Sequence, residues 1–166
     1  LPTLSNNSAQ FFNNKSKLES SVAITTIRPN EIRQRLPRST ADLLNAVPGT
    51  YADNASGEVG NRIYARGMAS GTTDNTGYRY VSLQEDGLPV MSSLVQFATA
   101  DMFTRIDVNV GRFEAIRGGS SVVTAPNAPG GVYNFISREG SDKFSGIAEL
   151  KGGVHGRNNL YTRADL

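Results

Sequence analysis

The chain has 166 residues and a formal net charge of +2, from 17 Lys and Arg against 15 Asp and Glu. It has no Cys and one His, which excludes a disulfide framework, a thiolate metal site, a cysteine nucleophile and any site that needs two imidazoles. The small charge and the scattered basic residues give no nucleic-acid footprint, so we expect no nucleic-acid partner. No apolar run reaches the roughly 18 residues of a transmembrane helix.

The beginning of the chain is polar. Residues 1–20 are rich in Asn and Ser, lack both the helical and the strand period, and contain no signal-peptide core. We interpret them as a flexible N-terminal arm. Because the first residue is not Met, we expect a mature or trimmed product.

Residues 21–49 predict a compact α/β opening. The run SVAITTI at 21–27 is short and β-branched, as is typical of a strand. A helical pattern over 30–36 follows Pro29, a residue that the first turn of a helix accepts. A second short helix over 41–47 ends at a Pro-Gly pair.

Strand patterns recur over the next ninety or so residues, between stretches rich in Gly, Ser, Thr and Asn. Alternation predicts one strand over 61–66 and a second over 79–85, which ends at the turn pair Asp86-Gly87. The segment 103–117 predicts two strands separated by a Gly break. A short helical turn and a loop then lead to a last strand over 132–137.

The C-terminal residues predict a hairpin. Apolar and small residues occupy every second position over 144–151 and again over 160–166, with a Gly-rich turn between them. This is the dyad pattern of a membrane barrel strand, although an ordinary surface hairpin has the same pattern and is favoured by these residues alone. The second run stops in mid-strand at Leu166, so we expect the chain to be truncated there.

No catalytic constellation is recognisable. The sequence has no GxxxxGK[ST] loop, no GxGxxG that opens a helix after a strand, and no HExxH. His155 lies in a Gly-rich turn, and the adjacent Glu85 and Asp86 would point to opposite faces of a strand. We therefore expect no enzyme, no cofactor and no metal site, and an enzyme with an unfamiliar polar site is the disfavoured alternative.

Four blocks in a fixed order resemble the plug domain of TonB-dependent outer-membrane receptors. They are the opening strand and helices with their VPG stop, the IYARGM strand end, the QEDGLPV turn, and the long block from FTRIDVNVGRFEAIRGG to GGVYNFIS. Together they run from about Ser21 to Ser137. Each block alone is weak, and their order and spacing make the resemblance specific.

The resemblance implies an α+β plug domain, a small mixed sheet with short helices and long loops, followed by the first hairpin of a transmembrane antiparallel β-barrel. It divides the chain into the arm at 1–20, the plug domain at 21–140 and the truncated first barrel strands at 141–166. A hydrophobic content of only 38% fits a plug that fills a polar, water-lined lumen. The implied function is that of an outer-membrane active transporter, in which the plug gates uptake of a scarce nutrient such as a ferric siderophore.

The resemblance also implies roles for particular residues. Arg66 and Arg117 each end a strand before Gly, and in the family the arginines at these positions lock the plug to glutamates of the barrel wall, a pairing that suits a bidentate guanidinium. Structural turns and close approaches are expected at Gly67, Asp86, Gly87, Gly118, Gly130 and Gly131. The loops near 50–60, 68–78 and 91–99 would face the outside, and they carry candidate ligand-facing residues: Tyr51, Asn54, Met68, Thr72, Asn75, Tyr78, Met91, Gln96 and Phe97.

The implied partners are the chain's own C-terminal β-barrel in the outer membrane of a Gram-negative cell and a small-molecule ligand, for example a metal chelate. TonB of the inner-membrane energising complex is a further partner, through a short box that we expect upstream of Leu1. The alternative is a free-standing soluble periplasmic binding or interaction module that reuses the plug fold. That alternative predicts a natural stop near Leu166 and a folded monomer without detergent.

Overall fold

The computed structural model describes residues 23–54, 59–68, 80–90, 100–104, 106–118, 125, 128–140, 142–155 and 159–165. In chain order its elements are β1 (Ala23–Ile27), α1 (Pro29–Arg35), α2 (Thr40–Leu44), β2 (Thr50–Asp53), β3 (Arg62–Ala65), β4 (Val81–Glu85), β5 (Leu88–Pro89), a 3-10 turn (Ala100–Met102), β6 (Val110–Arg117), β7 (Gly131–Ser137), β8 (Glu149–His155) and β9 (Asn159–Asp165).

A five-stranded mixed sheet in the order β1-β6-β7-β4-β5 organises the fold. Its neighbouring strands are antiparallel except for β4 and β7, which run parallel. Strands β2 and β3 form a separate antiparallel pair. A mixed sheet with few short helices confirms the α+β class that the sequence predicts.

The two helices are short and have defined ends. At the start of α2 the Ser39 hydroxyl accepts a hydrogen bond from the Asp42 N–H at 3.3 Å, and the Asp42 carboxylate accepts from the N–H groups of Arg38 and Ser39. The first helix starts at Pro29 and is ended by Leu36, whose φ of 46° is left-handed. Within the described ranges no helix is both long enough and apolar enough to span a membrane.

One face of the large sheet carries the main core. Phe113 pairs across the strands with Phe135, and Ala115 pairs with Tyr133. All four side chains are at most 2% exposed. They form one cluster with buried residues of the helices and of β3, namely Ile32, Leu43, Leu44 and Ile63.

The second face of the sheet has a smaller apolar cluster, in which Ile24, Ile116 and Val132 lie side by side on three neighbouring strands with Ala125 and Ala128. Because apolar residues cover both faces of the sheet, its central strands are shielded from water although the apolar content of the chain is modest.

A row of polar residues crosses this second face. The register aligns Thr26 with Glu114, Glu114 with Asn134, and Asn134 with Gln84. Glu114 is fully buried, and its Oε1 accepts a hydrogen bond from Arg112 Nε at 3.0 Å. The pairing offsets the cost of burying a carboxylate.

The structure differs from the sequence predictions in two places. The first half of the segment 103–117 is not a strand, because Asp107 forms a turn: its Oδ1 accepts from the Asn109 N–H at 2.8 Å, and its carbonyl accepts from the Val110 N–H at 3.2 Å. Strand β2 was not predicted, and it forms because β3 pairs with it. The helical turn predicted before Gly130 lies outside the described residues.

Strands β8 and β9 form a separate antiparallel hairpin. The first of them begins at Glu149, later than the alternation from residue 144 predicts. The register places Leu150 opposite Ala164 and Lys151 opposite Arg163, so apolar and charged positions alternate as pairs along the hairpin.

The core assignment predicts different costs for two leucines that lie close together in sequence. Leu43→Ala removes a side chain with 0% exposure and should lower the free energy of unfolding by about 2–5 kcal/mol, through lost burial and a cavity. Leu36→Ala is the matched control, because Leu36 is 61% exposed, and it should change the stability by less than about 1 kcal/mol. Urea unfolding followed by circular dichroism measures both, and equal losses would contradict this core.

Candidate functional site

Arg66 occupies a tight turn at the end of β3. Arg66 and Gly67 have φ values of 54° and 77°, and the Met68 N–H donates to the Ala65 carbonyl at 3.0 Å. A left-handed backbone costs a non-glycine residue roughly 1–2 kcal/mol. Leu36 and Asp86 adopt the same conformation at the end of α1 and in the turn after β4.

The Arg66 side chain lies against the backbone of two other segments. The backbone N–H of Arg66 donates to the Gly49 carbonyl at 2.7 Å, so the turn after β3 is joined to the segment that follows α2. Its guanidinium lies on Gly118, where an added Cβ would overlap a guanidinium nitrogen. Gly118 has a φ of 81°, so its backbone favours glycine, and a methyl group there would displace the Arg66 guanidinium.

The two Arg-Gly pairs consequently meet at one end of the domain. Arg117 is the last residue of β6, is half-buried, and pairs in register with Ala23 on one side and Gly131 on the other. Its Nε is shielded from solvent. Among the described residues no carboxylate lies within ion-pair distance of Arg66.

Tyr133 lies on the same face of the sheet as Arg117. Its ring is 1% exposed and stacks near Phe113, with centroids 6.2 Å apart. Its hydroxyl is 2.6 Å from Thr50 Oγ1, which joins the large sheet to β2. Burial raises the pKa of the Tyr133 phenol, and the Thr50 hydroxyl and the charge of Arg117 partly offset that rise.

Asp86 and Gly87 form the two-residue loop between β4 and β5, with φ values of 49° and 85°. The loop is also joined to β7. Asp86 Oδ1 accepts from the Ser137 N–H at 2.8 Å, and the Gly87 N–H donates to Asn134 Oδ1 at 3.0 Å. Asp86 therefore stabilises both the turn after β4 and the large sheet.

Gly130 and Gly131 lie where backbones come close. An added Cβ on Gly130 would lie 2.7 Å from the Tyr80 carbonyl oxygen, and one on Gly131 would lie 2.8 Å from the Ile116 carbonyl oxygen. Gly67 and Gly87 occupy the turns described above.

Three of the predicted ligand-facing residues are described, and the structure does not gather them into one pocket. Tyr51 is 60% exposed, with its ring 5.6 Å from that of Tyr64. Asn54 donates from Nδ2 to Asp42 Oδ1 at 3.2 Å, so its amide is engaged within the domain. Met68 closes the turn after β3. The other six lie outside the described residues: Thr72, Asn75, Tyr78, Met91, Gln96 and Phe97.

Sequence reasoning missed Tyr133, Thr50 and Glu114. The glutamate stands inside an otherwise apolar strand, FEAI, and this charge at a core position was the available signal. No comparable signal marked the Tyr133–Thr50 pair.

In the described part of the chain, no group of three or more His, Asp or Glu is placed to hold a metal ion.

Comparison of the sequence with known families assigns the chain to one of them. The profile described as TonB-dependent Receptor Plug Domain matches residues 16–132, well over half of the chain. The chain belongs to this family. No curated protein sequence gives a significant match.

Solved receptor structures share the fold. The ferric yersiniabactin uptake receptor FyuA of Yersinia pestis has 20% identity and a TM-score of 0.60 over 85% of this chain and 20% of its own. FpvA of P. aeruginosa, solved bound to pyoverdines, has 20% identity and a TM-score of 0.60 over 80% and 16%. The ferric-catecholate import receptor Fiu of E. coli K12 has 23% identity and a TM-score of 0.52 over 78% and 16%. The chain spans a fifth or less of the length of these receptors.

The contact between Arg66 and Gly118 predicts a position-specific cost. Gly118→Ala should lower the free energy of unfolding by at least about 1 kcal/mol, because the methyl group meets both a left-handed backbone and the guanidinium. Gly140→Ala is the control, since nothing lies within 4 Å of its added Cβ. Urea titrations of the two variants that gave equal midpoints would contradict the left-handed backbone described at Gly118.

The buried phenol predicts a loss of stability at alkaline pH. The folded pKa of Tyr133 lies above its ordinary value of 10.0, so the folded state holds the proton more tightly than the unfolded state. This contribution is complete below pH 10.0 and disappears as the pH rises through the folded pKa. Tyr133→Phe should decline less than wild type over that alkaline range in pH-dependent urea unfolding. Parallel declines would count against this role of the phenol.

Proposed function

We propose that this chain is the plug of an outer-membrane active transporter and that it gates the uptake of a scarce nutrient such as a ferric siderophore. The observation that carries the proposal is the meeting of Arg66 with the Arg117-Gly118 pair in a member of the plug family. The names of Fiu and FyuA describe import of a ferric catecholate and of ferric yersiniabactin, which favours an iron chelate as the ligand class.

Arg66 and Arg117 act as the lock between plug and barrel. Both stand at strand ends on the same edge of the domain, and no described carboxylate pairs with Arg66. A guanidinium at a partly buried interface favours a carboxylate partner, because two parallel N–H···O bonds replace the lost hydration. Glutamates on the inner wall of the barrel supply that partner.

Transport through such a domain requires no covalent chemistry by the plug. Exposed groups such as Tyr51, together with the predicted loops, contact the ligand on the outer side. The ligand shifts the plug, and TonB of the inner-membrane complex then drives a rearrangement that opens a path. The free energy of ligand binding and the mechanical work of the TonB complex move the plug, so no acid–base catalysis is needed. The sequence likewise contains no recognisable catalytic motif.

The lock predicts leakage when both arginines are removed. In the full-length receptor, Arg66→Ala with Arg117→Ala should raise passive entry of a small antibiotic several-fold, because the plug loses its charged anchors. Arg33→Ala with Arg35→Ala is the control, since it removes the same charge from the exposed side of α1. Antibiotic uptake by intact cells with equal receptor abundance is the measurement. Unchanged entry in the first double variant would contradict the lock.

A further inference from the structure

A cavity of about 190 Å³ lies where α1, the turn before β6 and the beginning of β8 come together. It is separate from the candidate site, because it lies beside Val110 at the start of β6, whereas Arg117 ends that strand. A molecule bound there would touch three separate segments of the chain.

Part of the cavity wall is apolar. Ile32 of α1 and Val108 before β6 line it and are both buried, and Val110 and Ile147 add further apolar surface. A cavity of about 150 Å³ with apolar walls is large enough to bind benzene. The space here therefore admits a body of that size, which would remove water from the apolar side chains.

Two arginines line the same cavity and are exposed. They are Arg33 on α1 and Arg138 after β7. The backbone N–H of Arg138 donates to the Asn109 carbonyl at 2.6 Å, and its Nε donates to the Val108 carbonyl at 3.0 Å. A guanidinium has five N–H donors, so the two terminal amino groups of Arg138 remain for a further acceptor.

The carboxylates in the lining are engaged elsewhere. Glu149 Oε2 lies 3.0 Å from Lys151 Nζ, and Asp107 Oδ1 accepts a backbone N–H of its own turn at 2.8 Å. Among the described residues, neither arginine has a carboxylate within ion-pair distance. With three cationic side chains against two carboxylates, the lining keeps an excess of positive charge.

We propose that this cavity binds a small amphipathic carboxylate whose apolar body is about the size of a benzene ring. The body lies against Ile32 and Val108, and the carboxylate accepts N–H groups from Arg33 and Arg138. A guanidinium suits a carboxylate, because two parallel N–H···O bonds can form. An inorganic anion would leave the apolar wall uncovered, and a neutral ring would leave the arginines without an acid. The inference goes beyond the proposed transport function and does not depend on it.

Binding of benzoate tests the proposal directly. Radiolabelled benzoate is equilibrated by dialysis against the purified full-length protein in a nonionic detergent, and the uptake by micelles alone is subtracted. The proposal predicts one saturable site. Benzamide keeps the ring without the charge and should compete at least about tenfold more weakly, the factor expected for hydrogen bonds to a charged group. Acetate keeps the charge without the ring and should also compete at least about tenfold more weakly.

Two pairs of variants locate the site. Arg33→Ala should weaken benzoate binding about tenfold. Arg35→Ala is its control, since it removes the same charge from the same helix outside the cavity lining, and it should change binding less than about twofold. Ala148→Phe fills the cavity without changing the charge and should abolish saturable binding, whereas Ala148→Ser keeps the volume and should bind like wild type. Ala148 lines the cavity and is exposed, so the larger side chain leaves the core intact.

Three results would overturn the proposal. The first is a wild-type protein without saturable benzoate binding. The second is an equal effect of Arg33→Ala and Arg35→Ala, because the general charge of the helix would then explain it. The third is inorganic phosphate that competes as strongly as benzoate, which would leave the apolar wall without a part in binding. Since none of these readouts uses passive antibiotic entry, their failure is distinct from a failure of the lock.

Discussion

The meeting of the turn after β3 with the segment after α2 and with the end of β6 is the constraint that positions the candidate site. Arg66 adopts a left-handed backbone at the end of β3, and Gly118 adopts one at the end of β6. The same arginine binds the Gly49 carbonyl through its N–H. Three segments that are distant in sequence are thereby fixed at one place, and the charge at that place follows from the packing.

Several buried polar groups in the described interior have partners. Glu114 pairs with Arg112 on the same strand, Asn134 Oδ1 accepts from the Gly87 N–H, and Tyr133 pairs with Thr50. The last two contacts join separate segments and so add specificity to the packing. The proposed place in a polar lumen fits this composition, because a domain surrounded by water gains little from a large apolar surface.

Much of the fold was predictable from local patterns. A β-branched run located β1, alternation located β3 and β4, and the Asp-Gly pair located the turn after β4. Strand β2 was missed because the four residues from Thr50 to Asp53 stand among polar loop residues and become a strand through pairing with β3. The strand predicted before Val110 does not form, because the side chain of Asp107 stabilises a turn within an apparently alternating run.

The candidate site was only partly predictable. The resemblance to the plug family indicated Arg66 and Arg117 separately, but the approach of Arg66 to Gly118 depends on how the small sheet sits against the large one, which no local pattern encodes. The Tyr133–Thr50 pair depends on how the large sheet packs against β2, which the sequence of either strand alone does not indicate. The prediction that the loops at 68–78 and 91–99 face the ligand stays a prediction for their residues outside the described ranges.

The mass and location of the intact native polypeptide test the central claim most directly. An antibody against this domain would be used on separated outer-membrane and periplasmic fractions, and the captured protein weighed by mass spectrometry. The account predicts a species several-fold heavier than 17.8 kDa in the outer membrane, since the related receptors devote a fifth or less of their length to this fold. A species of 17.8 kDa in the soluble periplasmic fraction would contradict it and would favour a free-standing binding module.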